Sequence, residues 1–324
     1  MGLFDEQVAR KPDLYPWTAN FIQTMHEGFW TDAEFNFQSD ISDFKTRLSD
    51  QERGVVVRTL SAIGQIEIAV KKFWAKLGDN LPHPSITDLG YVMANTEVIH
   101  NRAYERLLSM LGLNEVFEEN LKNSIIAGRV DYLRKYLHRY YKDSKKQYIY
   151  SLILFTLFIE NVSLFSQFYI VLWFGRYKNF LKDCNQQVSY TKNEENLHAQ
   201  IGMKLVNVLR AEYPELFDEE MEELIRSRAQ EAYTQEAKII DWILEGYEGE
   251  RLNADVLKSY IQQRLNESLK AIGYKKLFDV SKEHRRDFEW MDEELHGNNM
   301  TDFFHKRPTN YSKNCRTVNG NELF

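Results

Sequence analysis

The stretch Met93-Ala94-Asn95-Thr96-Glu97-Val98-Ile99-His100-Asn101-Arg102-Ala103-Tyr104-Glu105-Arg106-Leu107 decides how this chain is read. Met93, Glu97, His100, Tyr104 and Leu107 recur at spacings of three and four, so a helix carries all five on one face. That face is apolar except for a glutamate and, three residues on, a histidine. Three other segments repeat the anomaly. Leu60, Ile63, Glu67, Val70 and Trp74 share a face, as do Leu157, Glu160, Leu164 and Phe168, and Glu195, His198, Gly202 and Leu205. Four helices thus each direct one glutamate at an apolar interior, and two of them add a histidine.

An ionised carboxylate buried without a partner is costly. Four at a common centre repel one another and take up protons. No matching set of Lys or Arg lies on these faces. Two divalent cations balance four carboxylates, and a donor set of carboxylate oxygens and two imidazoles suits iron or manganese. Glu-x-x-His serves such a site because residues three apart are neighbours on a helix surface. One Glu from each of two helices and Glu-x-x-His from each of two others is the ligand pattern of two-metal carboxylate bundles. The candidate ligands are therefore Glu67, Glu97, His100, Glu160, Glu195 and His198. The remaining histidines, His26, His83, His138, His284, His296 and His305, lack this setting and read as surface or structural.

The rest of the chain is consistent with an all-α protein. Only Pro214 interrupts the stretch from 85 to 307, which permits long helices. Apolar spacing predicts helices near 41–78, 85–112, 115–126, 129–142, 145–174, 177–210, 216–247 and 253–271, with no strand pattern. Asp40 or Asp43 is expected to open the first and Pro84-Ser85 the second, and Tyr213-Pro214-Glu215 marks a break and restart. Residues 1–39 are rich in aromatics without helical period and are expected to wrap the bundle. Residues 1–296 are expected to form one domain. Residues 297–324 read as a polar, flexible tail ending Asn321-Glu322-Leu323-Phe324, whose apolar tip suits docking into a partner's groove.

Composition excludes several classes. Hydrophobic residues make up 43% and charged residues 27% of 324, the balance of a globular chain. The net charge of -7 argues against a broad nucleic-acid surface. Cys184 and Cys315 form no zinc spacing, and Met1 to Glu6 lacks the basic start and apolar run of a signal peptide, so a cytoplasmic location is expected. Ser151 to Gly175 is long and apolar enough to resemble a membrane span, but Glu160, Asn161, Ser163, Ser166 and Gln167 lie in its middle. It reads as a buried core helix, and no membrane is expected as a partner.

These motifs carry a resemblance. The run Asn95 to Tyr104 resembles the Glu-x-x-His-x-x-x-Tyr motif of class I ribonucleotide reductase small subunits. Asn193-Glu194-Glu195-Asn196-Leu197-His198 is similar to their Asp-Glu-x-x-His motif, and Phe29-Trp30-Thr31-Asp32-Ala33-Glu34 resembles their Phe-Trp-x-x-x-Glu segment. The likeness runs from near residue 15 to near residue 290. It implies a ferritin-like helical bundle, a homodimer, and a large catalytic subunit engaged through the tail. It further implies that the oxidised metal pair holds a one-electron hole. That hole passes to a cysteine of the large subunit, where a thiyl radical starts reduction of a ribonucleoside diphosphate to a deoxyribonucleotide for DNA synthesis. Carried over by position, Trp30, Glu194 and His100 form the internal relay, Tyr311 is the tail tyrosine, and Tyr104 stands where many members keep a tyrosyl radical.

Three departures from the family pattern refine this. Glu67 replaces the aspartate of the common diiron form, Glu194 replaces the usual relay aspartate, and Lys71 lies four residues after Glu67 on the same face. A plain Glu–Lys surface pair also accounts for that last spacing. Glutamate at the first ligand position is similar to the manganese-using members, and the mixed manganese–iron subclass replaces the tyrosine that is retained here as Tyr104. The chain therefore resembles the dimanganese, superoxide-activated subclass (class Id). The expected cofactor is two manganese ions working as a Mn(III)/Mn(IV) pair, with Tyr104 reduced and Lys71 attracting an anionic oxidant. The alternative is two iron ions with a radical on Tyr104. A more distant one is a stand-alone ferritin-like dimetal oxidase, which has no use for Trp30, Glu194 or the tail.

Overall fold

The structure, a computed structural model, describes residues 2–249 and 252–296, excepting the side chains at 67–71 and 296. Nine helices organise it. They are α1 (Trp17–Glu27), α2 (Asp50–Ala75), α3 (Pro84–Leu111), α4 (Ser124–Leu133), α5 (Ser144–Lys178), α6 (Lys182–Glu212), α7 (Glu219–Ile243), α8 (Ala254–Ala271) and α9 (Lys282–His296). Short helical turns fill several connections, and there is no strand among the described residues. The chain is all-α, as the sequence predicts.

Helices α2, α3, α6 and α5 close a four-membered ring in which each packs on the next, with the α5–α6 and α2–α3 contacts the most extensive. Helix α7 covers α2, α4 and α5 from outside, α8 lies on α5 and α7, and α9 lies on α8. Helix α5 runs through the middle. Its most apolar stretch is 94% buried inside the protein, which explains the membrane-like composition of Ser151 to Gly175 as that of a core helix. At its centre, Phe155–Ser163 winds as a π-helix with every residue buried. Such widened turns recur at functional sites, and this one contains Glu160.

Helix ends depart from expectation in instructive ways. The first long helix begins at Asp50, not near 41, because Ser49 and Glu52 form a capping box and Leu48 is extended. Asp40 and Asp43 instead serve the start of α6. Asp40 accepts from the backbone N–H groups of Asp183 and Cys184, and Asp43 from that of Leu181. Helix α5 stops at Lys178, since Asn179 and Leu181 take left-handed φ values of 54° and 57°. Helix α6 therefore starts at Lys182 rather than 177. The expected pair 115–126 and 129–142 is replaced by a short helix Asn114–Asn120 and by α4, which Asn123 caps. The break at Tyr213-Pro214 is present, and Asp218 caps the restart.

Two helices escaped the periodicity reading. Residues 1–39 contain α1, whose Trp17, Phe21, Ile22 and Met25 fall on the face turned to α3. Around α1 the segment runs irregularly over the bundle, held for example by Leu3 N–H on Glu212. Helix α9 is polar overall but buries Phe288 and Met291. The tail beyond residue 296 lies outside the described residues.

Candidate metal centre

Three helices of the ring bring their anomalous acids together. Glu97 and His100 from α3, Glu160 from α5, and Glu195 and His198 from α6 are all buried in one cluster. Ligand atoms of Glu97, Glu160, Glu195 and His198 all lie within 4.8 Å of one another. His100 joins them through Nδ1, 3.1 Å from Glu195 Oε1 and 3.5 Å from Glu97 Oε2. His198 Nδ1 faces the opposite oxygens, 2.9 Å from Glu97 Oε1 and 3.7 Å from Glu195 Oε2, with Glu160 Oε2 at 3.5 Å. Glu97 and Glu195 thus each divide their two oxygens between the two histidines.

The same side chains are poorly satisfied as they stand. Both oxygens of Glu97, Oε2 of Glu160, Oε1 of Glu195 and Nδ1 of His198 are buried without a hydrogen bond of good geometry, and they face the other acids and rings of the cluster. Buried polar atoms are almost always paired, so a concentration of unpaired ones points to a bound group. Electrostatics agree. Burial, then the charges of Glu195 and Glu97, push the Glu160 carboxyl well above its ordinary range. Burial would also raise Glu195, but the close approach of Glu160, His100 and His198 holds it below the ordinary range. Burial opposes a charged His198, and the surrounding glutamates override it and hold the ring protonated. The cluster retains protons that cations would displace.

Hydrogen bonds behind the histidines fix which nitrogen faces the cluster. His100 Nε2 lies 2.7 Å from Glu194 Oε2. An ionised carboxylate only accepts, so Nε2 donates and the Nδ1 lone pair points inward. His198 Nε2 lies 2.9 Å from Thr96 Oγ1. The single proton of that hydroxyl goes to Met93 O at 2.7 Å, so Thr96 accepts from His198, with the same result. Trp74 Nε1 donates to Glu160 Oε1 at 2.8 Å, which turns Oε2 towards the histidine. Carboxylates and oriented imidazoles of this kind make a site that could hold a pair of hard or borderline divalent cations.

Residues 9–285 match the family model described as ribonucleotide reductase, small chain. The chain belongs to that family. A probable ribonucleoside-diphosphate reductase small subunit of Invertebrate iridescent virus 3 is 26% identical over 96% of this chain and 86% of its own. The ribonucleoside-diphosphate reductase subunit beta of Treponema pallidum is 21% identical over 94% and 87%. Among solved structures, a putative class I ribonucleotide reductase from Bacillus halodurans superposes with a TM-score of 0.77 at 19% identity, covering 86% of this chain and 99% of that one. A dimanganese(II) NrdF of Streptococcus sanguinis gives 0.70 at 16% identity, covering 87% and 96%. The bundle is ferritin-like, as the resemblance implies.

The remaining site residues of this small chain are placed as follows. Trp30 is buried, donates from Nε1 to Glu194 Oε2 at 2.8 Å, and stacks on His100 with ring centroids 6.1 Å apart. Trp30, Glu194 and His100 thus form a continuous hydrogen-bonded chain from the irregular N-terminal segment to the cluster. Tyr104 is buried one turn beyond His100 on α3. Glu67 and Lys71 lie on α2, but their side chains fall outside the described residues, as does Tyr311. Two contributors went unread in the sequence. Thr96 was only a letter within a motif, and Trp74 only a member of an apolar face. No local pattern marks either, because each acts across the bundle.

Proposed function

We propose that this chain is the radical-generating small subunit of a ribonucleoside-diphosphate reductase with a two-manganese centre. The observation that carries the reading is the division of Glu97 and Glu195 between His100 and His198, so that these four side chains would hold two cations side by side. Glu160 and Glu67 complete the proposed set of four carboxylates and two imidazoles. When bound and taken to the Mn(III)/Mn(IV) level by superoxide, the pair supplies a one-electron oxidant for a cysteine of the large subunit.

The chain's own residues then have separable tasks. Glu194 holds His100 in its ligating tautomer and couples it to Trp30, which makes those three the inner relay. Thr96 does the same orienting for His198. Burial of Tyr104 keeps it from solvent, and it stays reduced. Lys71 attracts the anionic oxidant, and Tyr311 continues the relay in a tail that docks on the large subunit. The protein acts as a cytoplasmic homodimer making DNA precursors, and residues 1–296 form its single domain.

Reconstitution with the large subunit tests this. Chain loaded with Mn(II) and exposed to a superoxide source should reduce a ribonucleoside diphosphate, and Trp30→Phe should abolish turnover while metal content stays. Unchanged activation in Lys71→Met would remove the role given to Lys71. A diiron centre is the second reading, favoured by the retained and buried Tyr104. Activity only with iron and oxygen, accompanied by a tyrosyl doublet, would replace the manganese reading with it.

A further inference from the structure

A cavity of about 930 Å3 opens between α2, α4 and the first half of α5, away from the residues assigned to the relay. Its volume lies in the range of small-molecule sites, ~300–1,000 Å3. The floor is apolar. Phe73 and Phe155 stack with centroids 3.9 Å apart, Tyr136 packs edge-on against both, and Leu133, Leu137 and Ile159 extend the surface. The rim is cationic. Lys72, Lys76, Arg134 and Arg139 line it, and among the described residues no carboxylate does and none of the four has an ion-pair partner. Four uncompensated positive charges at the mouth of a low-dielectric cavity focus a field that attracts anions.

We propose that this cavity binds an amphipathic organic anion, with its head on the Lys72, Lys76, Arg134 and Arg139 rim and its apolar body on the Phe73–Phe155 floor. A bare inorganic anion would leave the floor uncovered, and a neutral apolar molecule would leave the rim uncompensated. The site adjoins the metal centre through one aromatic layer. Trp74 packs edge-on against Phe155, 5.4 Å between centroids, and donates to Glu160.

Calorimetric titration of the full chain with dodecyl phosphate below its micelle threshold, and separately with 1-naphthyl phosphate, tests the assignment. At least one should saturate at one per chain, and which of the two binds more tightly distinguishes an alkyl from an aromatic body. The neutral counterparts, dodecanol and 1-naphthol, should bind at least tenfold more weakly. The double variant Lys76→Glu, Arg139→Glu changes two exposed side chains, and its helicity is checked by circular dichroism. It should weaken the anion about tenfold or more. Absence of saturable binding by both phosphates, equal binding of the neutral counterparts, or indifference to charge reversal would overturn the proposal.

Discussion

At the scale of single residues, the centre is a set of compromises that a metal pair resolves. Glu97 presents two buried oxygens, one to the His198 ring and one to the His100 ring, in a cluster with two further buried carboxylates. Glu97→Gln removes a buried charge without changing shape, so the metal-free variant should melt no lower than the metal-free parent, while manganese affinity falls at least about tenfold. Parallel melting curves and metal titrations separate the two effects. A variant that melted lower without metal and bound it normally would make Glu97 a structural residue. The orienting residues should behave more mildly. Thr96→Val deletes the acceptor for His198 Nε2, and Glu194→Ala deletes the one for His100, each costing about 10–100-fold in metal affinity. Unchanged affinity in both would remove the role given to those hydrogen bonds. Glu97, His100, Glu160, Glu195 and His198 were legible because acids on apolar helix faces violate patterning, and a violation is visible in sequence. Thr96 and Trp74 were not, because their partners lie 102 and 86 residues away and neither breaks any local rule.

At the scale of elements, the bundle must bring α5 and α6 close enough for Glu160 to reach His198. Gly202 sits one turn past His198, where a Cβ would fall 2.2 Å from Thr156 Oγ1 and 2.7 Å from Thr156 Cβ. Gly202→Ala should therefore push the two helices apart and lower both melting temperature and metal content, and Thr156→Ser in that background should partly restore both. A fully stable, fully loaded Gly202→Ala would show that the approach is not required. The order of the long helices from α2 to α8 followed from proline placement and apolar spacing. Their ends followed less well, since caps were assigned by adjacency. Asp40 and Asp43 have good capping chemistry for the helix next to them, yet they serve α6, some 140 residues away in sequence. Ser49 and Glu52 held the true start of α2 in a readable capping box. Helix α9 was hidden because it is amphipathic on a mostly charged background, with few apolar residues to set a period.

At the scale of the whole molecule, buried charge is tolerated only where partners surround it. Arg129 and Glu236 are fully buried together, 3.1 Å apart, and Arg129 also donates to Ala62 O, Ser163 O and Gln167. Lys192 is the exception, buried with the Glu294 carbonyl as its hydrogen-bond acceptor. Desolvation lowers its ammonium from 10.5 to about 8. The folded state then gives up that proton near pH 8 while the unfolded chain keeps it to 10.5, so this group makes stability rise with pH across that window. Lys192→Met should flatten the rise and be at least as stable at pH 7. Denaturation midpoints at pH 7, 8 and 10 measure this, and an unchanged pH profile would exclude Lys192 as its source.

Two cations divided between His100 and His198 are what the centre is proposed to hold, and metal stoichiometry tests that most directly. Chain purified without metal, loaded with Mn(II), desalted and analysed by mass spectrometry should hold two manganese ions. After exposure to superoxide it should give a multiline Mn(III)/Mn(IV) paramagnetic resonance signal, and the triple variant Glu97→Gln, Glu160→Gln, Glu195→Gln should hold none. One ion or fewer in the parent, or two retained in the triple variant, would contradict a centre built on these helices.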